Sequence, residues 1–377
     1  MKTYRILIFI ILWFNFFKAE NSDLLISEFN SYMHESISKA NIAGMGIAIL
    51  TKDSVIFKKG YGYSNVKTKD LFTPNTVMNI ASISKTFIGV SIMYLVEKEK
   101  VKLDDDINKF LPFKVSNPFF PDSIITLRHL MSHTSGIIDN NKIYPKYYNY
   151  GDDSPISLEI FLKDYLTPNG RLFNKNNFTK KNPGLEFNYS NIGAGLAGLI
   201  VEKISDRPFN IFTNEIIFKP LNMNNTCWFL SEMDRFNHSR LYKSQFFNLF
   251  QKEIDLYGLC TYPDGGLRTS INDLSKYLLY IANNGKNEEE KILFEETIHT
   301  MLTVDYVKHY TKFWEILGSD GFGHGGGDPG VRTGMYYNYK KNIGIIFFIN
   351  TNPHGEFENM INQINKFAIK LNALIKG

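Results

Sequence analysis

The sequence predicts an α+β fold, an α/β sandwich in which both ends of the chain contribute strands to one antiparallel sheet. Three observations predict it. A helical pattern followed by two short apolar runs stands near the N-terminus, four strand-like runs followed by a helical pattern stand near the C-terminus, and the middle is mostly helical. The simplest assembly is therefore a sheet covered by the terminal helices, with an inserted helical lobe.

The N-terminal elements begin with apolar residues at helical spacing over residues 23–41, which predict an amphipathic helix. Apolar runs at 44–50 and 54–58 are separated by a short polar turn, and this pattern predicts a β-hairpin. The hairpin leads into Gly-Tyr-Gly-Tyr at residues 60–63. We expect these strands to form the N-terminal share of the sheet.

The remaining elements follow from the same periodicities. Helices are predicted at about 85–112, 192–204, 271–284 and 357–375, and strands at 310–317, 321–326, 331–338 and 342–349. Between them, residues 138–185 are polar, and we expect this long excursion to lie on the surface and shape a substrate site. Its tyrosines could line a cleft or cover the sheet: Tyr144, Tyr147, Tyr148 and Tyr150.

Residues 1–19 have the pattern of a secretory signal peptide. Lys2 and Arg5 precede an apolar run, and Ala19 offers a small residue for cleavage. The alternative is a retained N-terminal anchor, but the run of about 12 apolar residues is short against the roughly 20 that span a membrane. We therefore expect export to the periplasm or the extracellular space, and one catalytic domain over residues 24–372 without a stable membrane span.

Composition and charge exclude some classes of partner. Apolar residues make up 44% and charged residues 21% of the chain, as in an ordinary globular protein. Loss of residues 1–19 would lower the formal net charge from +4 to +1, and no run is rich in Lys or Arg, so we expect no nucleic-acid partner. The two cysteines, Cys227 and Cys260, could be bonded or free.

The first chemical motif is S-x-x-K, formed by Ser82 and Lys85. Residues i and i+3 share a helix face, so Lys85 reaches the hydroxyl if a helix begins near Ser82. A serine hydroxyl is a weak nucleophile until a neighbouring group takes its proton. A helix N-terminus also directs N–H groups toward developing negative charge. The alternative is a helix-capping Ser82 beside a solvated Lys85.

The second motif is Tyr189-Ser190-Asn191. The phenol could relay a proton if a nearby Lys85 lowers its pKa. The carboxamide of Asn191 offers both a donor and an acceptor to a substrate amide. The alternative is a packed tyrosine beside a helix cap.

The third motif is a glycine run on a predicted late strand, His324-Gly325-Gly326-Gly327. Successive glycines weaken a strand. They suit a place where the backbone of a ligand must approach the strand edge closely. The alternative is a flexible turn.

With these motifs the chain resembles the β-lactamase-related serine hydrolases, the group of class C β-lactamases, D,D-carboxypeptidases, penicillin-binding-protein-like proteins and serine esterases. The similarity covers roughly residues 24–370 and includes GYGYSN, LRHLMSHTSGI, PDGGLRTSINDLSKY and GHGGGDPG. The resemblance implies a β-lactamase/transpeptidase-like fold.

The resemblance also implies roles for individual residues. Ser82 would be the acylated nucleophile, Lys85 its proton acceptor or electrostatic partner, and Tyr189 a general acid and base. The implied substrate-binding residues are Asn191, His324, Gly325 and Gly326, and the oxyanion hole would consist of the backbone N–H groups of Ser82 and Gly327.

One departure concerns the late strand. Penicillin-targeted members of the group carry Lys-Thr-Gly where this chain has His324-Gly325-Gly326. A lysine is a permanent cation that holds a substrate carboxylate, whereas a histidine with a pKa near 6.5 is mostly neutral at pH 7. The resemblance to His-Gly-Gly members therefore favours peptidase or esterase activity over β-lactam resistance.

The sequence thus predicts a serine hydrolase that forms an acyl-enzyme with a small-molecule or peptide substrate. The substrate would be a D-amino-acid peptide, a peptidoglycan fragment or a small ester. The alternatives are a β-lactamase proper and a non-catalytic penicillin-binding or sensor protein of the same fold. The oligomeric state is not predicted.

No cofactor or metal is expected. His129 and His133 are spaced i, i+4, but no glutamate follows His129 as in H-E-x-x-H, so a structural helix is the preferred interpretation. Three consecutive aspartates at 104–106 lack the glycine and terminal glutamate of a calcium loop. We interpret them as a charge cluster at the start of a helix.

Overall fold

In the computed structural model, which describes residues 2–245, 250–286, 291–353 and 357–376, an eight-stranded antiparallel sheet lies at the centre of the fold. The helices are α1 (Lys2–Lys39), α2 (Ser84–Glu97), α3 (Leu127–Met131), α4 (Leu158–Leu166), α5 (Asn191–Ser205), α6 (Phe209–Thr213), α7 (Ile271–Ala282), α8 (Glu295–Leu302) and α9 (Phe357–Lys376). The strands are β1 (Gly44–Leu50), β2 (Val55–Asn65), β3 (Asp70–Leu71), β4 (Val77–Asn79), β5 (Tyr148–Tyr150), β6 (Leu241–Gln245), β7 (Phe250–Ile254), β8 (Tyr257–Leu259), β9 (Arg268–Ser270), β10 (Tyr310–Thr311), β11 (Trp314–Ile316), β12 (Gly321–Asp328), β13 (Val331–Asn338) and β14 (Ile343–Ile349). The central sheet has the order β10-β11-β12-β13-β14-β1-β2-β3.

Strands from the two ends of the chain meet in the middle of this sheet. β1 pairs with β14 in a register that runs from Met45 opposite Ile349 to Leu50 opposite Gly344. Every residue of both strands is buried, because each strand has neighbours on both sides and helices on both faces. The prediction of one antiparallel sheet built from both termini is confirmed.

The terminal helices cover one face of the sheet, as predicted. Phe29 of α1 stacks on Phe367 of α9 with ring centroids 3.8 Å apart, and Phe57 of β2 meets Phe367 edge-on at 5.1 Å. Met360 and Ile364 extend the same apolar stripe of α9 at helical spacing. Burial of these side chains ties both ends of the chain to the sheet.

The helical lobe packs on the other face and positions the site. Phe87 of α2 stacks on Tyr277 of α7 with centroids 4.0 Å apart. α5 lies so close to the segment before β9 that a Cβ added at Gly198 would come within 2.7 Å of Pro263. A glycine at 198 therefore permits the approach, which brings the start of α5 and the neighbourhood of Pro263 to the start of α2.

Two predicted elements were wrong in extent. The helix predicted at 85–112 ends at Glu97, where Glu99 takes a left-handed φ of 56°, and Asp106 then caps a short 3-10 turn. The strand predicted at 310–317 is a tight hairpin of β10 and β11, because Lys312 and Phe313 both have left-handed φ values.

The excursion at 138–185 differs from the prediction in another way. It contains β5 and α4, and it buries Phe161 and Tyr165 in the lobe core. It therefore belongs partly to the core and does not lie wholly on the surface.

Further predictions concern the two cysteines, His129 and the N-terminal segment. Cys227 and Cys260 are both free. The ring of His129 accepts a hydrogen bond from the backbone N–H of Thr126 at the start of α3, which gives it the structural role expected. Along the part of the chain that the structure describes, no helix combines the length and apolar content needed to cross a membrane. Residues 2–19 form the first half of α1, and their cleavage stays a prediction.

Candidate active site

Ser82 lies in a 3-10 turn, Ala81–Ile83, that leads directly into α2. Ala81, the residue before it, has a φ of 49°, a left-handed conformation that L-residues with a Cβ rarely adopt. The Ala81 carbonyl accepts a hydrogen bond from Ser84 Oγ at 2.6 Å, which helps to hold this conformation. Strained backbone of this kind is common beside reactive groups.

Lys85 is completely buried, and three oxygens surround its ammonium group. Nζ donates to Ser82 Oγ at 3.1 Å, to Asn191 Oδ1 at 2.6 Å and to the backbone carbonyl of Asp264 at 2.7 Å. An ammonium has three donors, so all of them are used. The helical i, i+3 relation predicted the first contact, and the packing of the lobe supplies the other two.

Asn191 and Tyr189 are held by a network at the start of α5. The carboxylate of Asp139 accepts from Ser190 Oγ at 2.9 Å, from the N–H of Asn191 at 2.8 Å and from the N–H of Ile192 at 3.0 Å. Ser190 also caps the helix. A carboxylate at a helix N-terminus is favoured by the exposed N–H groups and the helix dipole.

The ring of Tyr189 lies above the buried lysine. Lys85 Nζ is 4.9 Å from the ring centroid, and the ring of His133 packs behind it at 4.3 Å. Tyr189 remains 38% exposed, so part of its ring faces solvent at the mouth of the site.

Burial and neighbouring charged groups have opposite effects on the pKa of Lys85, and likewise on the pKa of Tyr189. Burial alone would lower the pKa of Lys85, but Tyr189 and the carboxyls of Asp264 and Asp139 outweigh it and raise the pKa above its ordinary value. Burial of the hydroxyl end raises the pKa of Tyr189, although Lys85 and Ser82 oppose the change. The resting site therefore holds an ammonium and a neutral phenol.

Strand β12 brings the glycine motif against the serine turn. A Cβ added at Gly326 would overlap the carbonyl oxygen of Ile80 and the hydroxyl of Thr333, so this glycine is required for the close approach of strand and turn. At Gly327 an added Cβ would meet only Arg332 Nη1, at 3.3 Å, and this glycine is exposed. Gly326 thus serves internal packing, whereas the surroundings of Gly327 are open.

His324 is 1% exposed, and it belongs to a chain of hydrogen bonds whose direction is determined. The N–H of Ser190 donates to His133 Nδ1, so His133 Nε2 carries the proton that faces the Tyr310 hydroxyl at 3.1 Å. Tyr310 then donates to His324 Nε2 at 2.9 Å. The remaining His324 proton goes from Nδ1 to the Gly325 carbonyl at 2.6 Å.

The two imidazole rings in this hydrogen-bond chain, those of His133 and His324, are both neutral. Burial lowers the pKa of His324 to about 4 and holds the pKa of His133 well below its usual range. Both ring nitrogens of His324 are occupied within the protein, so the structure brings this residue beside the site without an open face toward a substrate. A direct substrate contact by His324 stays a prediction.

Two carboxyls that no sequence motif indicated, those of Asp264 and Asp328, lie beyond Lys85. Tyr144 donates to both carboxylate oxygens of Asp264 at 3.0 and 3.1 Å, and Tyr148 donates to Asp328 Oδ1 at 2.6 Å. Burial raises the pKa of Asp264 to about 7 and that of Asp328 to about 6. The predicted excursion thus reaches the site through two of its tyrosines.

Three further residues belong to the site although no sequence motif indicated them: Asp139, His133 and Tyr310. Asp139 follows the matching stretch that ends at Ile137, which placed it near the site in sequence but indicated no contact. His133 was considered only as a metal ligand or a helix residue. No sequence pattern indicated Tyr310, because its two hydrogen-bond partners, His133 and His324, are 177 and 14 residues away along the chain.

The assembled geometry has the parts of an acyl-transfer site. A serine hydroxyl at a helix start lies within hydrogen-bond distance of a lysine, and a tyrosine lies beside that lysine. A carboxamide bound to the same lysine stands at the mouth. Gly327, on the adjoining strand, is exposed, and its part in an oxyanion hole stays a prediction.

Comparisons with known proteins agree with this geometry. The family model described as Beta-lactamase matches residues 27–368. Protein flp of Staphylococcus aureus (strain MRSA252) is 25% identical over 330 residues, which are 86% of this chain and 63% of that protein. Penicillin-binding protein 4* of Bacillus subtilis (strain 168) is 26% identical over 328 residues, 81% of this chain and 68% of that protein.

Among solved structures, the octameric penicillin-binding protein homologue from Pyrococcus abyssi matches with a TM-score of 0.71 and 26% identity. The match covers 93% of this chain and 77% of that chain. The chain spans less than two thirds of the length of the staphylococcal relative, so what that whole protein does is not transferred to this one.

Proposed function

Because the chain belongs to the Beta-lactamase family, whose model matches residues 27–368, we propose that it is a serine hydrolase that forms an acyl-enzyme on Ser82. The observation that carries the proposal is the buried ammonium of Lys85, which bonds Ser82 Oγ and Asn191 Oδ1 at once. A lysine buried at such cost beside a serine is expected where the serine must be activated.

Acylation would proceed with the following transfers. The Lys85–Tyr189 pair first loses one proton to solvent. Ser82 Oγ then bonds to the substrate carbonyl carbon while its own proton passes to the pair. The backbone N–H groups of Ser82 and Gly327 hold the oxyanion. The pair returns the proton to the leaving nitrogen or oxygen as its bond to the acyl carbon breaks, and water then releases the acyl group by the same route.

The proposed substrate is a D-amino-acid peptide, a peptidoglycan fragment or a small ester. The carboxamide of Asn191 supports an amide or ester carbonyl as the reacting group. The neutral state of His324 supports the preference for peptidase or esterase activity over β-lactam hydrolysis, because this residue is not the permanent cation that a lysine at the same position would be. Export and a single domain over residues 24–372 remain part of the proposal.

The test is labelling with a fluorophosphonate probe followed by mass spectrometry. We expect one adduct on Ser82, and Ser82→Ala should lose the adduct together with about three decades or more of hydrolysis. Ser91→Ala is the matched control, because Ser91 lies on the same helix and its hydroxyl donates to the backbone carbonyl of Phe87, away from Lys85. Undiminished hydrolysis by folded Ser82→Ala would rule out the acyl-enzyme, and absence of any adduct in the natural protein would favour a binding protein.

A further inference from the structure

Asp328 is the last residue of β12 and follows the exposed Gly327 directly. A Cβ placed on Gly265 would lie 3.5 Å from Asp328 Oδ2 and 3.9 Å from the carbonyl carbon of Ala81. The carboxylate therefore lies close to the residue that precedes Ser82. A substrate group that extends along this strand from the oxyanion site would meet it.

The carboxylate of Asp328 is only partly engaged. Tyr148 donates to Oδ1, while no donor to Oδ2 is found among the described residues. In the same part of the chain, no Lys, Arg or His forms an ion pair with Asp328 or Asp264. Asp328 is half-buried, so its open oxygen remains within reach of a ligand.

Tyr148, which donates to this carboxylate, belongs to a cluster of three tyrosine rings. The ring centroids of Tyr148 and Tyr257 are 5.3 Å apart, and those of Tyr150 and Tyr257 are 5.5 Å apart. Tyr150 is 48% exposed. Rings beside a carboxylate are the surroundings that protein sites provide for an ammonium group, because the ring faces attract cations.

The charges of Lys85, His324 and the two carboxyls also favour a cationic substrate. The ammonium of Lys85 has no donor left for a substrate, and His324 is neutral. Asp264 and Asp328 contribute negative charge when ionised. Neither Lys85 nor His324 therefore offers a free cation to an anionic substrate, whereas Asp328 has one carboxylate oxygen available for a cationic one. Arg332, beside Gly327, is a nearby exposed cation, and it is not ion-paired with Asp328.

We propose that Asp328, with the rings of Tyr148 and Tyr150, selects substrates that carry a protonated amine close to the scissile bond. This inference rests on the proposed function and narrows its substrate class. The competing explanation is that Asp328 only anchors Tyr148 to the sheet.

The experiment compares kcat/KM for two substrates, D-alanine p-nitroanilide with a free amine and its N-acetyl form, at pH 7. The natural protein should prefer the free amine by about tenfold or more, as expected for a charge-assisted hydrogen bond. Asp328→Asn should reduce that ratio about tenfold. Asp320→Asn should leave the ratio as it is, because Asp320 is a half-buried carboxylate that is ion-paired with Lys340 and directly precedes the other end of β12.

Tyr148→Phe distinguishes the charge of Asp328 from its role as an anchor for Tyr148. The variant keeps the ring and removes the hydroxyl that donates to Asp328. A preference retained in Tyr148→Phe but lost in Asp328→Asn supports the proposal. An unchanged ratio in Asp328→Asn would overturn it, and so would an equal loss in both variants.

A failure of the proposed function is recognised separately, by the absence of a Ser82 adduct. The preference is then measured as binding of D-alaninamide and N-acetyl-D-alaninamide to Ser82→Ala protein by calorimetry, with and without Asp328→Asn. Tighter binding of the free amine that disappears with Asp328→Asn supports the inference. Equal affinities of the Ser82→Ala protein for the two ligands would overturn it.

Discussion

The hydroxyl of Tyr310 lies 2.9 Å from Nε2 of His324, and both side chains are buried. The sequence had suggested that His324 meets the substrate. In the structure His324 is the inner end of a hydrogen-bond chain that begins at the N–H of Ser190, immediately after Tyr189. The ring of Tyr310 also packs against that of Tyr189, with the two centroids 6.2 Å apart.

We predict that His324→Lys lowers the melting temperature and gives no gain in acylation by penicillins. An ammonium at this position would be enclosed and would face a hydroxyl that must reverse its donation. His324→Gln is the matched variant, since its side-chain oxygen can still accept from Tyr310. Melting curves and penicillin acylation rates provide the measurements. A stably folded His324→Lys protein that is acylated about tenfold faster would contradict this prediction and support a direct substrate contact at this position.

Lys85 and Tyr189 should behave as a unit, because both handle the same proton. Lys85→Ala and Tyr189→Phe should each reduce kcat/KM by several decades, while the double variant should be far more active than the product of the two effects predicts. Tyr189→Phe combined with Lys109→Ala, a distant and exposed lysine, serves as the additive control. Strict additivity of Lys85→Ala and Tyr189→Phe would show that they do not share a step.

The pH dependence of acylation follows from the same pair. The pKa values of Lys85 and Tyr189 both lie above their ordinary values, so the pair keeps its two protons at neutral pH and contains no base. Activity requires the loss of one proton, so kcat/KM should rise with pH through the alkaline range as a property of the pair. The measurement uses a neutral ester from pH 6 to 10, corrected for spontaneous hydrolysis. A profile that is flat or falls between pH 6 and 9 would contradict the assignment.

Stability should depend on pH through Asp264. Its pKa is about 7 in the folded protein against 3.8 ordinarily, so the folded state binds the proton more tightly than the unfolded state. The resulting stability is fully present below about pH 4 and is lost as the pH rises through 7. A shift of this size corresponds to on the order of a few kcal/mol. Asp328, with a folded pKa of about 6, acts in the same direction.

Asp264→Asn should therefore flatten the decline of unfolding free energy between pH 5 and 8. The carboxamide oxygen can still accept from Tyr144, so the shape of the site is largely kept. Denaturant unfolding at several pH values gives the slope, which a simple loss of packing would not alter. Parallel curves for Asp264→Asn and the natural protein would show that this carboxyl does not titrate near 7.

The sequence alone predicted the features that depend on local spacing. The terminal strands and helices follow from apolar periodicity, and Ser82 meets Lys85 because residues i and i+3 share a helix face. Tyr189 and Asn191 flank a helix start that Ser190 caps, again a local matter. The three motifs carried the family resemblance, because each is a short run of chain.

Only the tertiary structure decided what surrounds these groups. The Lys85 contact with Asn191 spans 106 residues and the contact with Asp264 spans 179, so both depend on how the lobe packs against α2. Burial in that packing keeps His324 neutral and keeps the proton on Tyr189. On Lys85 burial acts the other way, and the neighbouring Tyr189, Asp264 and Asp139 outweigh it and keep the proton there. Protonation depends on the water and charge within a few ångströms of a group, and here long-range contacts determine both.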